Sequence, residues 1–411
     1  MNVSVTVYKS ALLGSIQAIP SKSDLHRALF CAALTQGTSI ITPFYQNNDI
    51  TATLNVLSLI ELTYEISNNS ITIHSTSRFK NPQHTIDVFN SATTLRLALP
   101  IALLCPFPVL FRLGEQLKTR SLKTYYELFK DNLFLEDSLL RTEPTILPNK
   151  LNISAPSSSQ FMSGLLLAYA KTQKGVTLNI DTTPSKPYIA MTINTLKAFG
   201  ITMTQNNYQL TLPPNQAFKP THYIVEGDYS NAAFFLCAKL FHPKLKILGL
   251  PIKTVQGDQQ ILAILNNIKN SNTIDLLDIP DLGPILILTL SMVEGTHTFY
   301  NVSRLIDKET NRLKHMLHYL ETFNKPYTLF NNTLVIQGNP HLKGNFTLSS
   351  YGDHRLAMTL AIAGTLCEGS ITILDAYSVD KSYPTFYKDL ASLNGNLKIQ
   401  RRSVNDEEND L

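Results

Sequence analysis

Residues 19–30, IPSKSDLHRALF, set Ser21, Lys22, Ser23 and Arg27 at the mouth of an apolar run. Hydroxyls and cations at the head of a buried helix suit an anion, because the first turn of a helix offers unpaired N–H groups and the positive end of its dipole. Near the other end of the chain, DKETNRL places Lys308 and Arg312 four residues apart, on one face of a helix, with Glu309 between them. Asp353, His354 and Arg355 again put charge before an apolar run, and Lys381 follows in VDKSYPTF. Taken singly, Ser21, Ser158, Ser230 and Asp281 read as helix caps, and DKETNRL reads as a solvated surface helix. Taken together, polar clusters of one design, several with added Lys or Arg, point to a shared polyanion site. The ten histidines are scattered, with no HExxH and no pair at ligand spacing, so no metal site is expected. No glycine-rich phosphate loop occurs either. Chemistry would rest on side-chain acids and bases and on cationic clamps.

Six stretches would position these clusters. Each runs from a polar cluster into an apolar helical segment, then a short break, then a strand: SKSDLHRALFCAALTQGTSIITPF, NSATTLRLALPIALLCPFPVLFRLG, SSSQFMSGLLLAYAKTQKGVTLNID, GDYSNAAFFLCAKLFHPKLKILGL, PDLGPILILTLSMVEGTHTFYNV and YGDHRLAMTLAIAGTLCEGSITILDA. The breaks fall near Gly37, Phe107, Gly175, Lys244, Gly295 and Gly369, separated by 70, 68, 69, 51 and 74 residues. Spacings this long indicate one supersecondary unit copied along the chain. Further strands and amphipathic helices lie between them. The pattern predicts two domains of three units, dividing near HYIVEGD.

The bulk properties agree. The chain has 411 residues, too many for one ordinary core. With 44% apolar and 16% charged residues, it is globular rather than disordered. A formal charge of +4 without a basic arm argues against nucleic-acid binding and suits small anionic ligands. The four cysteines sit in apolar surroundings without a CxxC pair and read as reduced, buried thiols. MNVSVTVYKS alternates like a strand and lacks a signal-peptide core. LRLALPIALLCPFPVLF holds Arg96 and three prolines and is short for a membrane span, so it reads as a buried helix and a strand. A cytoplasmic protein with no membrane association is expected.

In chain order, PSKSDLHR, NSATTLR, LKTR, SSQF, SKPYI, VEGDYSNAAFF, QGD, PDLGP, KETNR, GDHRLAM and DKSYPTF cover nearly the whole sequence. The chain resembles the 5-enolpyruvylshikimate-3-phosphate (EPSP) synthases. The resemblance implies a mixed α/β fold of two domains, an inside-out α/β barrel, each domain built from three βαβαββ units. The expected bounds are 14–224 for the first domain, on the shikimate 3-phosphate side, and 1–13 plus 225–400 for the second, on the phosphoenolpyruvate side. Residues 401–411 form an expected disordered tail. The implied reaction moves the enolpyruvyl group of phosphoenolpyruvate to the 5-hydroxyl of shikimate 3-phosphate. It passes through a tetrahedral adduct and releases phosphate, with no cofactor, in a monomer whose domains close on the substrates.

The resemblance also implies roles. Lys22, Ser23 and Arg27 meet shikimate 3-phosphate, with Lys22 also reaching phosphoenolpyruvate and serving catalysis. Ser158, Ser159 and Ser185 hold the 3-phosphate, Gln160 lies beside both substrates, and Tyr188 lines the pocket. Arg120, Arg312, Arg355 and Lys381 clamp phosphoenolpyruvate. Asp281 acts as base at the 5-hydroxyl, Lys308 helps bind the shikimate ring, and Glu309 handles the proton at the methylene carbon. Asn90, Arg96 and His354 fall near the site. Ala92 stands where the family's usual NAGTAMR has glycine, beside phosphoenolpyruvate and beside the inhibitor glyphosate that takes its place. Arg304, where many members carry Asn, is left without a role. A UDP-N-acetylglucosamine enolpyruvyl transferase would share the fold, but it would typically show a KNAAL-like stretch and a loop cysteine. A silent ligand-binding paralogue is disfavoured by the presence of Lys22, Asp281, Glu309 and Lys381.

Overall fold

The structure is a computed structural model; it describes residues 3–153, 158–180, 185–206, 209–268 and 273–401. The six apolar stretches form helices Lys22–Leu34, Ala92–Ala102, Ser159–Thr172, Tyr229–Phe241, Gly283–Ser291 and His354–Leu366. Nearly every side chain on them is buried, which is why their sequences are apolar around the whole circumference rather than along one stripe. Each is followed within a few residues by a strand, beginning at Gly37, Val109, Val176, Leu245, Gly295 and Ser370.

The sheets repeat one plan. Among the described residues five have four strands: a parallel pair, then two antiparallel strands on the second, which form a hairpin in four sheets and come from opposite ends of the chain in the fifth. In one, Lys150–Ile153 lies parallel to Val176–Ile180, which pairs antiparallel with Gln209–Leu212, and that strand with Thr204–Asn206. The fourth copy departs from the expected unit. Among the described residues its sheet has only two strands, Leu245–Leu248 parallel to Gly14–Gln17. The interval of 51 residues after Lys244, against about 70 elsewhere, is the missing hairpin.

The chain divides into two compact units. One holds Met1–Ile19, Gly227–Ile252 and Asp258–Leu411; the other holds Pro20–Glu226 and Lys253–Gly257. The boundary expected at residues 13/14 falls instead after Ile19, because Gly14–Gln17 pairs with Leu245–Leu248. In each unit the three buried helices contact one another. In the first unit the strand Val3–Tyr8 lies between Ser370–Leu374 and Asn396–Arg401, with Val5 opposite both Ile373 and Ile399. Flanked on both edges, it buries Ser4 and Thr6 as well as Val5 and Val7, so its polar alternation does not mark a solvent face. Thr6 is satisfied by Thr372, hydroxyl to hydroxyl at 2.9 Å. Of the expected tail, Arg401 ends the last strand, opposite Val3, and residues 402–411 lie outside the described residues.

The apolar stretch at residues 95–111 is buried helix and strand. No helix among the described residues is long and apolar enough to cross a membrane. All four cysteines are free and buried.

Candidate active site

Each unit gathers polar side chains where its buried helices begin. In the unit around Pro20–Glu226, Ser21 caps the first helix by accepting the Asp24 N–H. Lys22 is ion-paired to Asp49 at 2.7 Å. Arg27 lies one turn deeper, 1% exposed, and is held by three elements. Its Nε donates to Thr192 Oγ1 at 2.7 Å, Nη2 donates to Ser163 Oγ at 3.1 Å and to the Tyr188 carbonyl at 3.2 Å, and Nη1 donates to the Ser23 carbonyl. Burial pushes its guanidinium down to about 10, so it stays charged at neutral pH.

Ala92 is the first residue of the second helix, behind the Ser91 cap, and is nearly buried. Asn90 Oδ1 accepts the Gln116 N–H at 3.1 Å, fixing the loop that leads to Arg120, which is half-buried. Arg96 Nη1 donates to Gln160 Oε1 at 3.0 Å, Nη2 donates to the Ser121 carbonyl, and the guanidinium lies over the Phe161 ring at 4.8 Å. Gln160 in turn donates to Thr93 at 2.8 Å, so its side-chain amide is oriented at both ends. Gly164 lets the second and third helices approach this closely, since a Cβ there would overlap the Arg96 carbonyl. Ser158 caps the third helix by accepting the Gln160 N–H at 3.3 Å, and Ser159 is buried beside it. Ser185 precedes helix Lys186–Ala198 with φ 59°, in the left-handed region, and Tyr188 is on that helix's first turn.

The other unit assembles a charge cluster. Asp281, on the turn Pro280–Leu282 before the fifth helix, accepts from Arg312 Nη1 at 2.9 Å, Lys308 Nζ at 3.3 Å and Arg355 Nη2 at 3.3 Å. Burial alone would push this carboxyl up, but Arg355, Lys308 and Arg312 outweigh it and hold it well below the usual carboxylate range. Arg312 is 1% exposed and meets three carboxylates: Asp281, Glu309 at 2.5 Å, and Asp353, which takes Nε at 2.7 Å and Nη2 at 3.3 Å. Burial disfavours its charge, yet these three carboxylates raise its ionisation. Glu309 lies between Arg312 and Lys381, whose Nζ is 3.8 Å away. His354 opens the sixth helix, fully buried, with Nδ1 3.9 Å from Asp353 Oδ1. Arg304, four residues before Lys308, also feels the Asp281 charge.

Two expected caps are corrected. The fourth helix is capped by Asp228, which accepts the Asn231 N–H at 2.8 Å, and Ser230 is the second residue inside it. Asp281 caps nothing; its oxygens go to cations. The predicted residues divide between the units: Lys22, Ser23, Arg27, Asn90, Ala92, Arg96, Arg120, Ser158, Ser159, Gln160, Ser185 and Tyr188 belong to one, where contacts join Arg27 to Ser23 and Tyr188 and Arg96 to Gln160, and Asp281, Lys308, Glu309, Arg312, His354, Arg355 and Lys381 belong to the other, linked through the charge cluster. Sequence reasoning missed Asp49, Ser163, Thr192 and Asp353 as the partners that fix them. Only Asp353 carried a signal, standing directly before His354 and Arg355. No group of three or more His, Cys, Asp or Glu arranged to hold a metal occurs among the described residues.

A family model described as EPSP synthase (3-phosphoshikimate 1-carboxyvinyltransferase) matches residues 7–390. A 3-phosphoshikimate 1-carboxyvinyltransferase of Clostridium perfringens is 33% identical over 420 residues, covering 96% of this chain and 99% of the relative. One of Clostridioides difficile is 33% identical over 429 residues, covering 96% and 98%. Among solved structures, an EPSP synthase from Acinetobacter baumannii superposes with a TM-score of 0.81 at 20% identity, covering 98% of this chain and all of that one. The enolpyruvyl transferase NikO from Streptomyces tendae superposes with a TM-score of 0.75 at 15% identity, with the same coverage. At those identities the two structures speak for the fold alone.

Proposed function

Because the chain belongs to the EPSP synthase family, we propose that its charged side chains run the family's reaction, transfer of the enolpyruvyl group from phosphoenolpyruvate to the 5-hydroxyl of shikimate 3-phosphate with release of phosphate. The observation that carries the assignment is the pair of carboxylates embedded among cations, Asp281 and Glu309, in the unit that also presents Lys308, Arg355 and Lys381. Two substrates that each bear a phosphate and a carboxylate need such a surplus of positive charge to lie side by side.

In this scheme the unit around Pro20–Glu226 takes shikimate 3-phosphate. Arg27, locked in one orientation, offers a planar fork to the ring carboxylate. Ser158, Ser159 and Ser185 at two helix starts hold the 3-phosphate. Tyr188 lines the pocket, Gln160 is aimed by Arg96 and Thr93, and Lys22 and Ser23 open the first helix. Arg120, Arg355 and Lys381 clamp phosphoenolpyruvate, and Ala92 lies against it. Arg312 has its donors on three carboxylates, so it supplies charge and fixes Asp281 and Glu309.

Asp281 takes the proton of the attacking 5-hydroxyl, while Glu309 and Lys22 serve proton transfer at the methylene carbon. Elimination then expels phosphate and regenerates the enol ether. A carboxylate held so far below its usual range is a weak base on its own. The incoming phosphate and carboxylate groups neutralise Arg355 and Lys308, which loosens that hold and raises the basicity of Asp281 when both substrates are present. Action as a monomer and residence in the cytoplasm complete the proposal; the four free buried thiols support a reducing compartment. No cofactor enters the scheme.

Asp281→Asn and Glu309→Gln should fold normally, by circular dichroism, and each lose about 10²–10⁴-fold in turnover. Near-normal turnover in both would refute their roles as base and acid.

A further inference from the structure

Two motifs in the chain, QGD and VEGDYSN, have no part in the scheme above, yet the fold brings both to Arg355. Asp258 of QGD lies on the short turn Gly257–Gln259 and is 3% exposed. Its carboxylate is hydrogen-bonded to the Ser230 side chain. Ser230 Oγ accepts from Arg355 Nη2 at 2.7 Å, and the Ser230 carbonyl accepts from Arg355 Nη1 at 3.3 Å. A hydroxyl has one proton to give and lone pairs to receive, so Ser230 can serve both neighbours at once. The result is a relay of guanidinium, hydroxyl and carboxylate.

The opposite side of Arg355 faces Asp281, with Nη1 3.2 Å from its carbonyl and Nη2 3.3 Å from Oδ2. Each terminal nitrogen is therefore shared between Ser230 and Asp281. The Ser230 contacts oppose the pull of Asp281, so removing them shifts the guanidinium toward that carboxylate. We propose that Asp258 is a positioning residue of the phosphoenolpyruvate clamp, acting through the Ser230 hydroxyl to hold Arg355 where it can receive the substrate's anionic group. The proposal rests on the assignment of Arg355 given above.

The groups facing Asp258 set its ionisation. Burial pushes its carboxyl up, and the nearby charges of Asp281 and Asp228 push the same way. Arg355 and the Ser230 hydrogen bond oppose them, and it titrates at about 6. An ionised Asp258 is the stronger acceptor for the Ser230 proton. The relay is therefore tightest above pH 6 and loosens below it.

Steady-state kinetics from pH 5 to 8 test this with Ser230→Ala, Asp258→Asn, the double variant, Arg355→Lys, and Asp258→Asn combined with Arg355→Lys. Ser230→Ala should raise KM for phosphoenolpyruvate about 10-fold and Asp258→Asn about 5-fold, with kcat moved much less. The double variant should be no worse than Ser230→Ala alone, and Asp258→Asn should add nothing to Arg355→Lys. Substrate phosphate also ionises near pH 6, so the limb belonging to Asp258 is the part of the kcat/KM profile that Asp258→Asn removes. If Asp258→Asn fails to fold, Ser230→Ala and its pH profile decide alone. A raised KM in Arg355→Lys with unchanged KM in Ser230→Ala and Asp258→Asn overturns the relay only. An unchanged KM in Arg355→Lys overturns the assignment of Arg355 and the relay with it. Additive effects, or a limb that Asp258→Asn leaves in place, also overturn the relay.

Discussion

Arg312 and Arg355 share one side chain and one helix-start setting but face different company. Arg312 is enclosed by Asp281, Glu309 and Asp353, and its donors are spent on them. The partners of Arg355 include a hydroxyl and two carbonyls, weaker acceptors that an incoming anion can displace. The first residue of a buried helix can matter as much as a charge. Ala92 is the first residue of the second helix, 6% exposed, where the family's usual motif has glycine. In the proposed scheme its methyl takes up room beside phosphoenolpyruvate, and glyphosate, the longer ligand, should be hindered more than the planar substrate. Overpacking a tight site costs about 1–3 kcal/mol, or roughly a 5- to 150-fold change in affinity. Ala92→Gly should bind glyphosate more tightly by a factor in that range, read as the inhibition constant against phosphoenolpyruvate. An unchanged constant would show that the methyl does not discriminate.

At the scale of elements, the first helix is tied down by Asp24. Its carboxylate accepts the Tyr223 hydroxyl at 2.6 Å, the Glu226 N–H at 3.3 Å and the Thr195 hydroxyl at 3.4 Å. The helix that carries Lys22, Ser23 and Arg27 is thereby fixed to strand His222–Ile224 and to helix Lys186–Ala198. Burial raises this carboxyl to about 6, with Glu226 adding to the rise and Tyr223, the Glu226 N–H and Arg27 opposing it. The folded chain thus keeps the Asp24 proton to higher pH than the unfolded chain does. The stabilisation is complete below the unfolded value of 3.8 and is lost as pH rises through about 6, an effect of about 3 kcal/mol. Asp24→Asn should remove this dependence. Its urea midpoint, relative to that of the unaltered chain, should climb between pH 4.5 and 7.5; a constant difference would show that Asp24 does not carry the linkage.

The helices themselves were legible in the sequence, because runs such as LRLALPIALL and GPILILTLS are apolar on every face and admit no exposed placement. Their start signals were legible only by type. Ser230 resembles a cap, but Asp228, two residues earlier, takes the position, and the serine is free to serve Arg355. Asp353 stood out as a charge before a helix, but which side chains fix which was not legible. Thr192 lies 165 residues from the Arg27 it holds, and Asp353 lies 41 from Arg312. Such contacts depend on how the helices pack, which no local pattern encodes. The 51-residue interval was visible as a number, but its meaning, a sheet reduced to its parallel pair, needed the strand pairing.

At the scale of the whole molecule, the chain's first and last strands meet in one sheet, and the assigned side chains are divided between two units. The residues proposed for shikimate 3-phosphate come mainly from Pro20–Glu226, and the acid–base pair and most of the clamp come from the other unit. On the proposed scheme the substrates' anions neutralise the cations that hold the Asp281 carboxyl well below the usual carboxylate range. The acceptor is therefore the sharpest point of the account. Phosphate release from phosphoenolpyruvate should be measured with shikimate 3-phosphate, with UDP-N-acetylglucosamine and with no acceptor. Rapid release with shikimate 3-phosphate, and none above background in the other two, is the expected result; release only with UDP-N-acetylglucosamine, or with neither acceptor, would contradict it.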